Sequence, residues 1–405
     1  MLRSMFSAVS GLRNHQTSMD VIGHNIANVN TPGFKRSRVT FQEALSQNMR
    51  GASRPEAGRG GTNPMQVGLG MNVGTIDTFH TQGGLQGTGR ITDLAIDGEG
   101  FFVLRGVGDS HLYTRAGSFG WDGSGMLVNG AGQIVQGQRF DPITETWEQE
   151  ITNIRLHGED QKAPPRATEE ITFSGNLAAD GDRYIRSITI FDNLGRARDI
   201  TFTFTKDEEG EQQWTVEAVW DNLDGSEGKA EGKIIFSASG LIQESTLETT
   251  VGIDGFDNEL QLDFSAVTQY AAKGESYMEL TQDGYPHGDL VEVSIDTGGV
   301  VTGVYSNGSS RPLSRLALAT FTNPEGLTNL GHTLFGDSNN SGPAQIGLAG
   351  QGSLGSISPS SLEMSNVDLA QEFTDMIITQ RGFQANSRII TTSDELLQEL
   401  VNLKR

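Results

Sequence analysis

Both ends of this chain carry a seven-residue repeat whose apolar stripe is one column wide. Steps of three and four from Leu2 visit Leu2, Met5, Val9, Leu12, Gln16, Met19, Gly23 and Ile26. The column Met5, Leu12, Met19 and Ile26 is apolar throughout, while its companion turns polar or small at Gln16 and Gly23. At the far end, steps of seven visit Leu369, Met376, Phe383, Ile390 and Leu397, beside a mixed column of Phe373, Gln380, Ser387, Asp394 and Val401. Heptad spacing predicts helices that meet along a seam. A stripe this narrow cannot bury a helix deep in a globule. The pattern therefore predicts that the terminal helices pair as a coiled coil and leave their other faces to water or further chains. Two separate amphipathic helices resting on a β core are the alternative. Asn28, Asn30, Pro32 and Gly33 should end the first helix. The second should begin after Pro359 and Ser360, near Leu362–Asp368, and run almost to Arg405.

Between the ends the pattern is β. Residues 47–75 hold Gly51 to Gly61, Thr62, Asn63 and Pro64, the composition of an extended connector. From Arg90 onward short alternating runs appear: Ile91, Leu94 and Ile96 before Asp97-Gly98, then Phe101–Leu104, then Leu112–Thr114. Trp121-Asp122-Gly123 and Asn129-Gly130 read as tight turns. Ile188–Phe191, Ile200–Phe204 and the Trp214, Val216, Ala218, Trp220 series read as an antiparallel meander. Further strands are expected at 233–237, 259–264, 289–295, 300–305 and 313–321. No helical period interrupts 90–350, which argues against parallel βαβ units. The predicted fold is mainly β with α-helical termini, carrying two stacked antiparallel β domains, the second inserted in the first.

Charge separates the segments. The 405 residues carry a net charge of −22. Residues 1–70 hold 8 basic and 3 acidic side chains, whereas 146–283 hold 11 basic and 28 acidic, net −17. A segment that acidic suits an outward-facing, well-solvated unit, although an ordinary acidic surface has the same composition. The balance argues against binding nucleic acid, whose phosphates need Lys and Arg. With no cysteine, disulfides, thiolate metal sites and a Cys nucleophile are excluded. No apolar run approaches the roughly 18 residues of a membrane span. The first residues lack the apolar core and cleavage site of a secretory leader, which points to the cytoplasm or another export route.

Nothing in the sequence argues for an enzyme. His15, His24, His80, His111, His157, His287 and His332 are scattered, without metal-ligand spacing. Gly350-Gln351-Gly352-Ser353-Leu354-Gly355 fits a dinucleotide fingerprint, but Ser356–Pro359 follows where a helix should begin. With 52 glycines, such a match is expected by chance. Asp97-Gly98-Glu99 and Asp180-Gly181-Asp182 lack the full ligand set of a calcium loop. No catalytic, cofactor or metal residue is assigned.

Three blocks carry a resemblance. Phe6–Leu12 together with Asp20–Lys35, then Asp93–Phe102 with Tyr113–Phe119, and finally Ser365–Ala370 with Gln380–Asn386 and Leu400–Leu403 resemble bacterial flagellar rod and hook proteins. They cover about two fifths of the chain. The 138 residues of 146–283 stand where hook proteins carry a second β domain, and Gln282–Leu290 resembles their return to the first. The resemblance divides the chain into a terminal coiled-coil domain (1–33 and 359–405), an extended connector (34–74), a first β domain (75–145 and 284–358) and an inserted outer acidic β domain (146–283).

The resemblance implies a structural subunit of the hook. Such subunits assemble into a flexible curved helical tube that transmits torque and encloses an export channel. A distal rod or hook-associated protein is the alternative within the family; a secreted β-rich carbohydrate-active enzyme or adhesin is the alternative outside it. Implied partners are further copies of the chain, a distal rod protein, a hook cap protein, a hook–filament junction protein and the flagellar type III export gate, with neither nucleic acid nor membrane insertion. Polymerisation would fall to the seam residues Leu2, Met5, Val9, Leu12, Met19, Ile26, Leu369, Phe373, Met376, Phe383, Ile390 and Leu397. Phe41 and Leu45 resemble an export-gate motif; plain connector packing explains the same residues.

Overall fold

A computed structural model describes residues 2–55, 60–106, 108, 110–142, 144–156, 158, 160–207, 212–221, 227–245, 250–251 and 260–403; for Leu2, 244–245 and 250–251 it describes the backbone alone. The chain divides into two compact units. The first is Met1–Arg155, Ser294–Thr302 and Pro312–Arg405, and the second is Leu156–Val293 and Gly303–Arg311.

In the first unit, helix α1 (Leu2–Ala27) and helix α2 (Leu369–Leu403) pack on each other. The second helix starts at Leu369, at the far end of the expected Leu362–Asp368 window. Residues Ser356–Pro359 and Ser361–Glu363 are strands, paired with Leu94–Asp97 and Leu85–Gly87. Asp368 then opens α2, its Oδ1 accepting from the backbone N–H of Ala370 (2.8 Å) and Gln371 (3.3 Å), which satisfies donors that a helix start leaves bare.

The connector is not one extended strand. β1 (Ser37–Glu43) and β2 (Ser46–Arg50) run out, and β3 (Met65–Gly68) and β4 (Met71–Thr78) return. β1 pairs with β4 and β2 with β3, both antiparallel, making a two-stranded ribbon that the bridge Ser53–Thr62 prolongs. The Gly and Pro content of this segment does not reveal the pairing.

The β part of this unit is built on Phe101–Arg105, whose first four residues are buried. Its neighbours are His111–Thr114 and residues 318–319, the latter also paired with Gln345–Leu348. Phe101, Val103, Tyr113, Ala317, Ala319, Phe321 and Phe335 form one apolar cluster.

The second unit holds a five-stranded antiparallel meander of Arg183–Phe191, Ala197–Lys206, Gln213–Asp221, Glu227–Phe236 and Ile242–Ser245. Every second residue of 214–220 is buried, the signature of a sheet with one dry face. The dry side meets a sheet containing Glu170–Ala178, Leu260–Tyr270 and Tyr277–Gln282. Phe173 stacks on Phe264 at 4.2 Å and meets Phe202 of the meander edge-on at 4.8 Å. One expectation fails here: Glu170–Ala178 pairs parallel with Leu260–Tyr270. A parallel pair needs a long crossover, and the intervening meander supplies it in place of a helix.

Candidate assembly interface

The helix pair is antiparallel. Asn25 faces Glu372, with Nδ2 donating to Oε2 at 3.1 Å. A Cβ added to Gly382 would lie 2.7 Å from the His15 ring, and one added to Gly11 would lie 2.8 Å from the Asn386 side chain. Each step back along α1 is matched by a step forward along α2.

The closest-packed stripe of α1 is Ala8, Gly11, Ser18, Ile22 and Asn25. On α2 the buried positions are Glu372, Thr379 and Ser393, interleaved with half-buried Met376, Phe383, Ile390 and Leu397. Four of the five spaced apolar positions of α2 therefore sit beside the seam. The fifth, Leu369, is exposed because its partner position falls at Asn28, past the end of α1. Phe373 flanks Glu372 and is half exposed. The α1 columns lie differently. Met5, Val9, Leu12, Met19 and Ile26 are half-buried and flank a stripe that, Ile22 apart, is small and polar; the side chain of Leu2 lies outside the described residues. The physical reason is size: glycine, alanine and serine let two helices approach closely, and larger apolar side chains fall to the sides.

The ribbon packs on another side of α1. Asn14 Nδ2 donates to the Met71 carbonyl at 2.6 Å, and the Met71 N–H donates to Ser10 Oγ at 3.3 Å. Asn25 is bonded to both backbone groups of Ser37, donating to O at 2.7 Å and accepting from N at 3.0 Å. Phe41 meets the His15 ring edge-on at 5.7 Å. Leu45, at the bend between β1 and β2, is 80% exposed.

Below the helices lies a buried ionic cluster. Lys35 Nζ meets Glu363 Oε1 at 2.6 Å, and Arg115 Nη1 meets Glu363 Oε2 at 3.4 Å. Carbonyls complete the cations: Lys35 donates to Thr81 O at 2.7 Å and Arg115 to Gly98 O at 2.8 Å. The Gly83 N–H donates to Glu363 Oε1 at 2.8 Å. Burial lowers the pKa of Lys35 and of Arg115, and Glu363 opposes the shift in both. His80 beside them packs edge-on against Phe101 and Phe335. Its two ring nitrogens are buried without a partner. Burial first, then the charges of Lys35 and Arg115, push it down to about 4. Gly33 makes the approach possible. It has φ +70, and a Cβ there would sit 2.5 Å from the Ala116 nitrogen. Asn366 closes the junction, accepting from the Arg36 N–H at 2.8 Å and donating to the Phe79 carbonyl at 2.9 Å.

Spacing alone could not find this cluster. Its three ions lie at positions 35, 115 and 363, and only Glu363, between Leu362 and Met364, stands as a lone charge among apolar neighbours. Among the described residues, no group of three or more His, Asp or Glu is placed to hold a metal ion, and no helix is long and apolar enough to cross a membrane.

The whole sequence aligns with known proteins. The flagellar hook protein FlgE of Borreliella burgdorferi is 42% identical, with all of both chains covered. The chain belongs to the flagellar hook and rod protein family. As a family member it is a structural protein and not an enzyme. Four family profiles fall along it: flagella basal body rod protein (5–35), flagellar hook protein FlgE/F/G D1 domain (95–189), flagellar basal body protein FlaE D2 domain (160–285) and flagellar basal body rod FlgEFG protein C-terminal (358–403). The flagellar basal-body rod protein FlgG of Bacillus subtilis is 36% identical, again over all of both chains. The crystal structure of Helicobacter pylori flagellar hook protein FlgE2 matches at TM-score 0.50 and 14% identity, covering 69% of this chain and all of that one.

Proposed function

We infer that this family member is the structural subunit of the bacterial flagellar hook. Copies of the chain assemble into a flexible, curved helical tube that carries torque from rod to filament and encloses the export channel. The protein is extracellular in the finished hook and leaves the cell by the flagellar type III pathway. The observation that carries the reading is the apolar surface left over once α1 and α2 have paired. Met5, Leu12, Met19 and Ile26 remain half-exposed, and Phe373, Ile377, Leu396 and Leu400 are about half exposed or more. No described residue of the single chain covers them fully, and an exposed apolar surface of this kind marks a contact with another chain. Heterologous contacts between copies generate open helical assemblies.

In this reading the paired termini form the inner layer of the tube, the first β domain the middle layer, and the inserted acidic domain the outside, where its charge is solvated. Leu2, Val9, Leu369, Met376, Phe383, Ile390 and Leu397 share the polymerising surface. A distal rod protein, a hook cap protein and a hook–filament junction protein meet the ends of the polymer. The export gate reads Phe41 and Leu45, which the exposure of Leu45 favours.

The test is a chain ending at residue 369. It should form no tubes while its β units keep their near-ultraviolet spectra; tubes from the shortened chain would sink the proposal. A second reading, a distal rod subunit, draws on the rod relative at 36% identity. The acidic stretch 160–285, which matches a domain profile of its own, favours the hook. Electron microscopy separates them, since a rod subunit gives straight polymers.

A further inference from the structure

Where α1 ends, a cavity of about 640 Å³ opens between the helix end, the turn 129–131 and the hairpin of Thr328–Gly331 and Leu334–Gly336. The chain has 51 acidic side chains against 29 basic ones, yet no Asp or Glu lines this cavity. Its walls offer donors. Asn28 Nδ2 approaches His24 Nδ1 at 3.3 Å. In this contact the amide NH₂ is the donor and Nδ1 the acceptor, which leaves Nε2 for another partner. Asn329 Oδ1 is taken by the Gly331 N–H at 2.8 Å, which leaves its NH₂ to give. His332 has no ring hydrogen bond among the described residues. Lys35 also lies at the wall, but its Nζ is held by Glu363 and the Thr81 carbonyl, so the free donors are those of His24, Asn329 and His332.

The hairpin supplies a second, independent sign. Gly331 pairs with Leu334, so the turn is the two residues His332 and Thr333, with φ +53 and +59. Such turns favour Asn-Gly, and a β-branched residue in the left-handed region is an outlier. Strain held at a cavity wall is characteristic of ligand clamps, and here it is held at His332 and Thr333, both of which line the cavity.

We propose that this cavity binds a carboxylate group between His24, Asn329 and His332, and that an acidic side chain of a second copy supplies it in the polymer. The site stands on the cavity alone; its occupant rests on the assembly reading.

The shared chemistry has two sources, a side chain of another copy or a free dicarboxylic acid, and two measurements part them. In the first, succinate is titrated into the full-length soluble chain while the ring resonances of His24 and His332 are followed. Both should shift together and saturably, and sodium chloride at equal ionic strength should not reproduce the shift. His332→Asn keeps a residue that tolerates the turn and should weaken binding about tenfold, whereas Thr333→Gly, which relieves the strain and keeps the imidazole, should still bind. No saturable shift, a shift matched by chloride, or full binding by His332→Asn overturns the site. In the second, a photo-crosslinker replaces residue 332 in assembled protein. Cross-links to a segment carrying Asp or Glu support the second copy as the source. Cross-links to segments without either, alongside succinate binding by the monomer, overturn that occupant and leave a small-molecule site. A chain that binds succinate but never polymerises refutes the assembly reading and not the site.

Discussion

Lys35 and Glu363 stand 328 positions apart in the chain and meet at 2.6 Å, with both side chains out of reach of water. One follows α1 and the other precedes α2, so the pair fastens both helices to the first unit. Glu363→Gln leaves two buried cations without their counter-charge. Breaking a buried ion pair from one side costs about 3–5 kcal/mol. Urea unfolding of the first unit should shift by that much, while the Trp214 environment in the second unit should unfold unchanged.

Gly11 and Gly23 make a matched test of the seam. A Cβ at Gly23 meets nothing within 4 Å, whereas one at Gly11 runs into Asn386. Gly23→Ala should stabilise α1 by about 0.8–1 kcal/mol through helix propensity. Gly11→Ala should gain less than that, and Gly11→Leu should raise the critical concentration for polymerisation. Thermal unfolding measures the two alanine variants, and light scattering against concentration the leucine one.

Leu12→Gln tests the leftover apolar column. Leu12 flanks the seam and is half-buried in the single chain, so the thermal midpoint of the isolated protein should move little. Polymerisation should weaken strongly, because the substitution places an amide where a neighbour expects an apolar surface. A matching loss of monomer stability would put Leu12 inside the chain's own fold.

His80 makes the first unit acid-sensitive. Its folded pKa of about 4 lies below the ordinary histidine value of 6.5, so the unfolded chain takes up the proton first. No stability is lost above pH 6.5. As pH falls through the interval toward 4 the cost grows, and below 4 it levels at about 3 kcal/mol. His80→Phe keeps the edge-on packing against Phe101 and Phe335 and has no proton to accept. The variant should therefore lose less stability than the natural chain between pH 6.5 and 4, read by denaturant titration at each pH.

Phe41 and Leu45 separate export from folding. Leu45→Ala should leave stability unchanged, since the side chain is exposed, whereas Phe41→Ala also gives up its contact with His15. If the pair is read at the export gate, both variants should be secreted poorly. Normal secretion of Leu45→Ala would return these residues to plain connector packing.

Period and turn signals carried far in this molecule. The two terminal helices and the 200–220 meander are legible because each rests on one regular spacing repeated over many residues. The side of α1 that faces α2 was not. Apolarity marks Met5, Leu12, Met19 and Ile26, but close approach selects Ala8, Gly11 and Ser18, and small side chains give a periodicity reading little weight. The ribbon escaped for a related reason: β2 and β3 are exposed along their whole length, so neither carries the buried face that makes a strand conspicuous. The parallel pairing of 170–178 with 260–270 joins segments some 90 residues apart, and no local pattern records a partner that distant.

That pairing also sets a timetable. Strand Glu170–Ala178 lies between Leu260–Tyr270 and Tyr277–Gln282, so in a molecule emerging head first from a narrow duct it gains its first sheet partner only when residue 270 is free, and its second when residue 282 follows.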